Sequence, residues 1–72
     1  MKLEYYPETD SLYFTLRDGF GVDVVVLSEE FCADIDSAGL VIGLDIQHAS
    51  SVVDLSKLEI AGFHEPNFVN HT

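Results

Sequence analysis

Short apolar runs, each closed by a turn signal, dominate the first two thirds of this chain and limit what it can fold into. The runs are Leu3–Tyr6, Ser11–Leu16, Val22–Leu27, Phe31–Ile35 and Leu40–Ile46. Between them lie Tyr6-Pro7-Glu8-Thr9-Asp10, Asp18-Gly19-Phe20-Gly21, Ser28-Glu29-Glu30 and Asp36-Ser37-Ala38-Gly39. Segments this short, rich in Val, Ile, Phe and Tyr and bounded by Gly, Pro and Asp, are strands rather than helices. The pattern predicts an α+β domain: an antiparallel β-meander of four to five short strands followed by one C-terminal helix.

Alternation within the runs assigns side chains to faces. Leu12, Phe14 and Leu16 share one side, opposite Tyr13, Thr15 and Arg17. Phe31, Ala33 and Ile35 oppose Cys32 and Asp34, while Leu40, Ile42, Leu44 and Ile46 oppose Val41, Gly43 and Asp45. A loop over Asp36–Gly39 predicts Ile35 across from Leu40, Ala33 from Ile42 and Phe31 from Leu44, which puts every apolar partner on one side. Asp36 suits the first position of the turn, and Gly39 can take the positive φ that closes it. The other side carries Tyr13, Val25 or Val26, Leu27, Val41 and Gly43, too apolar a surface to be left in water. One side is therefore expected to meet a helix and the other a second subunit.

The helix is expected after Ile46, where Ala49, Val52, Val53 and Ser56 follow helical spacing and Ser50 can serve as N-cap. Ser56-Lys57-Leu58-Glu59 matches a capping box that could begin a further turn. The domain is read as residues 1–60. Residues 61–72 are read as a tail, partly ordered or packed on a neighbouring subunit.

Size and charge then bound the function. A 72-residue chain hides only about 60% of its unfolded surface, so a staple is expected. One cysteine, Cys32, cannot make an internal disulfide, and no Cys/His grouping has structural-zinc spacing. Association is what remains, most simply as a two-fold homodimer. Three basic residues (Lys2, Arg17, Lys57) against thirteen acids give a net charge of −10. Nucleic acid and anionic membranes are disfavoured as partners, since both need clustered Lys and Arg. The charge serves solubility or attracts a small basic protein. Met1–Pro7 lacks the apolar core of a secretion signal, and no stretch approaches the ~20 apolar residues of a membrane span. With the lone cysteine, this gives a cytoplasmic expectation.

Two segments together carry a resemblance. Tyr6-Pro7-Glu8-Thr9-Asp10-Ser11-Leu12-Tyr13-Phe14 and Val41-Ile42-Gly43-Leu44-Asp45-Ile46-Gln47-His48-Ala49-Ser50, with the acidic hairpin Asp34-Ile35-Asp36-Ser37-Ala38-Gly39 between them, resemble a prokaryotic family called domain of unknown function 2283. The likeness spans about residues 1–55. It implies a small β-meander with a C-terminal helix and no activity or catalytic residues. Some members are encoded beside small toxin-like proteins, which implies an antitoxin-type role. The Phe31-Cys32-Ala33 strand departs from the plainer Val/Ile-rich strand of the family.

Chemical candidates are few. Asp34, Asp36 and Gly39 begin like a calcium loop, but Ala38, Leu40 and a twelfth-position Asp45 inside a strand break the ligand pattern. Cys32 lies among Glu29, Glu30 and Asp34, which disfavour a thiolate, so it reads as structural. His48, near Asp45 and Asp54, is the best single histidine, yet no nucleophile is placed beside it; His64 and His71 fall in the tail. No catalytic, cofactor-binding or metal residue is assigned. Two functions follow: an acidic, homo-oligomeric interaction module resembling an antitoxin for a basic partner, or an enzyme or metal protein whose site forms between subunits from Asp34, Asp36, Asp45 or His48.

Overall fold

The computed structural model describes residues 1–62. Five strands form one antiparallel sheet: β1 (Lys2–Tyr6), β2 (Ser11–Thr15), β3 (Asp23–Val26), β4 (Phe31–Ile35) and β5 (Val41–Ile46), followed by a single-turn helix, α1 (Ala49–Val52). The apolar runs become strands with ends moved by one residue at most. Their spatial order is β1-β2-β5-β4-β3. A β1–β2 hairpin and a β3–β4–β5 meander thus lie side by side, joined where β2 pairs with β5. The 16–22 connection crosses from one unit to the other. The tail expected over 61–72 lies, from residue 63 onward, outside the described residues.

The β4–β5 register differs from the sequence expectation. Ala33 pairs with Leu44 and Phe31 with Ile46, in place of Ile42 and Leu44. Two local events cause this. Asp36 extends the ladder by donating its N–H to the Leu40 carbonyl (2.9 Å). Its Oδ1 accepts the N–H groups of Ala38 and Leu40, both at 2.9 Å, while Gly39 takes φ 82°. The loop is therefore three residues long, a length that suits an αL glycine. A bulge opposite Asp34/Ile35 then inserts Ile42 and pairs Ile35 with Val41. Each event shifts the pairing by one residue. Their sum is even, so Leu44 and Ile46 keep their expected side while Val41 changes sides.

Ladder partners share a face, so the pairings sort the whole sheet. One face carries Leu3, Tyr5, Leu12, Phe14, Val25, Phe31, Ala33, Ile35, Val41, Leu44 and Ile46, with Asp23 at its rim. The other carries Lys2, Glu4, Tyr6, Ser11, Tyr13, Thr15, Val24, Val26, Cys32, Asp34, Gly43 and Asp45. We call these the apolar and the acidic face. Gly21 lies over both Ile42 and the Cβ of Asp34, which places Ile42 on the acidic side, beneath the β2–β3 loop.

Cover is partial. Among the described residues the buried apolar side chains are Ala33, Ile42, Ile46 and Ala49; Leu12, Phe14, Phe31, Ile35 and Leu44 are half-buried, and no large side chain is fully buried. Broad contacts between the described elements run between neighbouring strands. The sheet is a single layer, whereas domains are built from at least two.

The helix is shorter than its spacing suggested. Val53 is already extended (φ −128°, ψ 159°) after donating to the Ala49 carbonyl, as the poor helix propensity of paired valines favours. Past it, the Asp54 carboxylate accepts both the N–H and the hydroxyl of Ser56. Ser56 is thereby held in a turn and starts no second helix. Lys57 and Glu59 form an exposed ion pair at 2.9 Å.

Candidate functional site: a clasped corner and an acidic face

The two segments that carry the family resemblance meet at one corner of the sheet. Asp10, at the end of the β1–β2 turn, and His48, at the β5–α1 junction, both adopt φ 52°. That left-handed conformation is uncommon outside glycine. What repays it is hydrogen bonding. The Asp10 carbonyl accepts the Ala49 N–H at 2.8 Å. Its Oδ1 accepts the Ser50 N–H at 3.1 Å and the Tyr5 hydroxyl at 2.7 Å, and its Oδ2 accepts the Ser50 hydroxyl at 2.6 Å.

The start of α1 is thus capped by an aspartate forty residues away in the chain. Ser50 was expected to be the N-cap; His48 holds that position without a side-chain bond, and Ser50 binds Asp10 instead. The Ser50 hydroxyl foremost, and then the Tyr5 hydroxyl, hold the Asp10 carboxyl below its ordinary range. The same bond to Asp10 raises the Tyr5 phenol. Beneath the clasp, the buried Ser11 donates to Gln47 Oε1 at 3.4 Å, and Gln47 Nε2 donates to Asp45 Oδ2 at 3.0 Å.

On the acidic face, Tyr13 of β2 reaches across β5 and donates to Asp34 Oδ2 of β4 at 2.5 Å. Gly43 makes this possible. A Cβ there would stand 2.7 Å from Tyr13 Cζ and 2.9 Å from Cε2, inside contact distance. The Asp34 hydrogen bond, with desolvation adding to it, pushes the Tyr13 phenol up to about 12. Such a phenol stays protonated at neutral pH. It serves as a brace across three strands, not as a proton acceptor. Asp45 lies between Tyr13 and Cys32 in the ladders, and Cys32 is half-buried with a free thiol.

The residues weighed for a metal or catalytic site are dispersed within one chain. Asp34 and Asp45 share the acidic face, Asp36 is engaged in the β4–β5 turn, and the exposed His48 sits at the corner. Among the described residues, no three His, Cys, Asp or Glu side chains are grouped as metal ligands would be. No described helix is long and apolar enough to cross a membrane.

Sequence reading missed both hydrogen-bonded constellations. For Tyr13 a signal existed: a glycine inside a strand marks a close approach, and alternation puts Tyr13 and Gly43 on one side. For Asp10 and Ser50 the sequence offered only their presence in the two resembling segments.

These observations define a class: a small, single-layer antiparallel sheet with a one-turn helix clasped to its first hairpin. The family model described as a protein of unknown function (DUF2283) matches residues 2–50, from β1 to the Asp10-bound Ser50. The chain belongs to this family. No curated protein and no solved structure matches it.

Proposed function

We propose that this chain is an acidic, self-associating protein-interaction module. A second copy covers the sheet that one copy leaves open, and a small basic protein, as an antitoxin would neutralise, is the partner its charge attracts. The first statement is carried by one observation: among the described residues, two of the four buried apolar side chains are alanines, and no large side chain is fully buried. Fully burying a Leu, Val or Phe side chain is worth about 1.5–3 kcal/mol. A lone copy therefore leaves part of that driving force unused, since Leu3, Val25 and Val41 stay exposed and Leu12, Phe14, Phe31, Ile35 and Leu44 are only half-buried. The second statement is supported by the excess of thirteen acids over three basic residues and by the acidic face, where Glu4, Asp34 and Asp45 stand with Lys2 as the single base among its paired residues.

Sedimentation equilibrium at micromolar concentration tests the first, with a mass of two or more chains expected and a folded single chain of 8.0 kDa overturning it. Native purification at low salt tests the second. A small basic protein should co-elute and dissociate as salt screens the attraction. Recovery of the homo-oligomer alone, at every salt concentration, would count against a partner.

A further inference from the structure

We infer that the apolar face, and not the acidic face or a sheet edge, is the surface on which a second copy of this chain sits, giving a two-layer sandwich with both acidic faces outward. The inference rests on the self-association proposed above and adds where it happens.

Charge decides the occupant. Two copies of a chain with net charge −10 repel wherever their carboxylates face each other, and burying an unpaired carboxylate is costly. Contact is cheapest where no carboxylate stands. The ladders leave one such surface: every ladder-paired side chain on the apolar face is uncharged except Asp23, which lies on edge strand β3 and accepts the Val24 N–H at 2.8 Å. The Asp10 carboxylate at the corner is already bonded to Tyr5 and Ser50. A basic partner would find little there to pair with, whereas an identical copy offers a matching, largely uncharged layer. The acidic face fails the same test. Asp34 and Asp45 lie near its centre, on the inner strands β4 and β5, and two copies meeting there would bury both pairs.

The edges are weaker candidates. β1 carries Lys2 and Glu4, bonded to each other at 3.6 Å, and charged edge residues discourage strand addition. On β3, the Val24 N–H is already taken by Asp23 Oδ1 at 2.8 Å, and that charged side chain discourages strand addition there too.

Two double variants separate the possibilities. Leu3→Lys/Val25→Lys places charges at opposite margins of the apolar face, at side chains that are 37% and 41% exposed. Val24→Lys/Val26→Lys places both charges on β3, at one margin of the acidic face, at side chains 55% and 71% exposed. Sedimentation should show the first weakening dimerisation by at least ~100-fold and the second leaving it intact. Dissociation of the second but not the first, or survival of both, overturns the face assignment while self-association stands. An unaltered chain that is monomeric overturns both readings at once.

Should the first variant fail to fold, Cys32 reports on the unaltered chain. It is the only cysteine and belongs to the acidic face, so in the sandwich the two thiols lie on outer surfaces. Facing sheets already stand ~10 Å apart, beyond the ~7 Å Cα separation a disulfide can bridge. Dilute oxidation should give no disulfide-linked dimer, and coupling a bulky maleimide to Cys32 should leave the dimer mass unchanged apart from the label. A disulfide-linked dimer, or dissociation on labelling, would overturn the assignment.

Discussion

The two faces of this sheet solve opposite problems. On the acidic face, polar side chains find partners within the chain: Tyr13 braces Asp34 across Gly43, Gln47 holds Asp45, and Ser11 reaches Gln47. On the apolar face only Tyr5 among the uncharged side chains is held by a side-chain bond, to Asp10 at the corner, and Leu3, Tyr5, Val25 and Val41 remain exposed at 37–42%. Hydrogen bonds are directional and can be completed locally, whereas apolar burial needs a second layer. One chain supplies the first here, and on our proposal a second copy supplies the other.

The contrast can be broken most severely at Gly43. Gly43→Val puts a branched side chain where the Tyr13 ring lies, and the Tyr13–Asp34 bond must open. The combined overpacking and lost hydrogen bond should cost on the order of 2–4 kcal/mol. Because a small domain is stable by only about 5 kcal/mol, thermal unfolding should show partial or complete loss of the fold. A variant as stable as the parent would mean that the brace contributes nothing.

Tyr13→Phe is the milder test, removing the donor while keeping the ring. It should cost about 1 kcal/mol by chemical denaturation. It should also alter the alkaline limb of stability. The folded-state phenol is pushed up to about 12 from about 10 in an unfolded chain. The brace therefore contributes fully below pH ~10 and is lost as pH rises toward ~12. Alkaline unfolding of Tyr13→Phe should lack this component. Identical alkaline limbs would contradict the assignment.

The smallest effect is expected at the corner. The Asp10 carboxyl is held below its ordinary value by Ser50 and Tyr5. Its contribution is complete above the unfolded value of about 3.9 and disappears as pH falls through the lower folded value. Asp10→Ala should lower the thermal midpoint at pH 7 and flatten the acid limb. Asp10→Asn, which keeps one acceptor oxygen and tolerates positive φ, should lower it less. Equal losses in the two variants would show that the clasp is not built on these hydrogen bonds.

Strand positions were legible in the sequence because each run carries its own period and its own stop signals. Register was not, for reasons visible at two residues. Asp36 joins the ladder where a loop residue was expected, and Ile42 is inserted by a bulge. Neither event leaves a mark on hydrophobic alternation, and their sum preserves the faces of Leu44 and Ile46. The helix was legible as an element but not in its length or cap, since its cap is supplied by Asp10 from the far end of the chain. Of the candidate site residues, Asp34 and Asp45 share a face, as the expected β4–β5 hairpin already implied. The antitoxin-type role came from resemblance alone, and no side-chain geometry replaces it.

Thermal unfolding as a function of chain concentration tests most directly whether a second subunit completes this fold. Stability drawn from association is set by mass action, so the midpoint should climb steadily as the chain is concentrated from low micromolar to hundreds of micromolar. A sharp, cooperative transition at one fixed temperature across that range would mean that a solitary sheet sustains itself, contrary to this account.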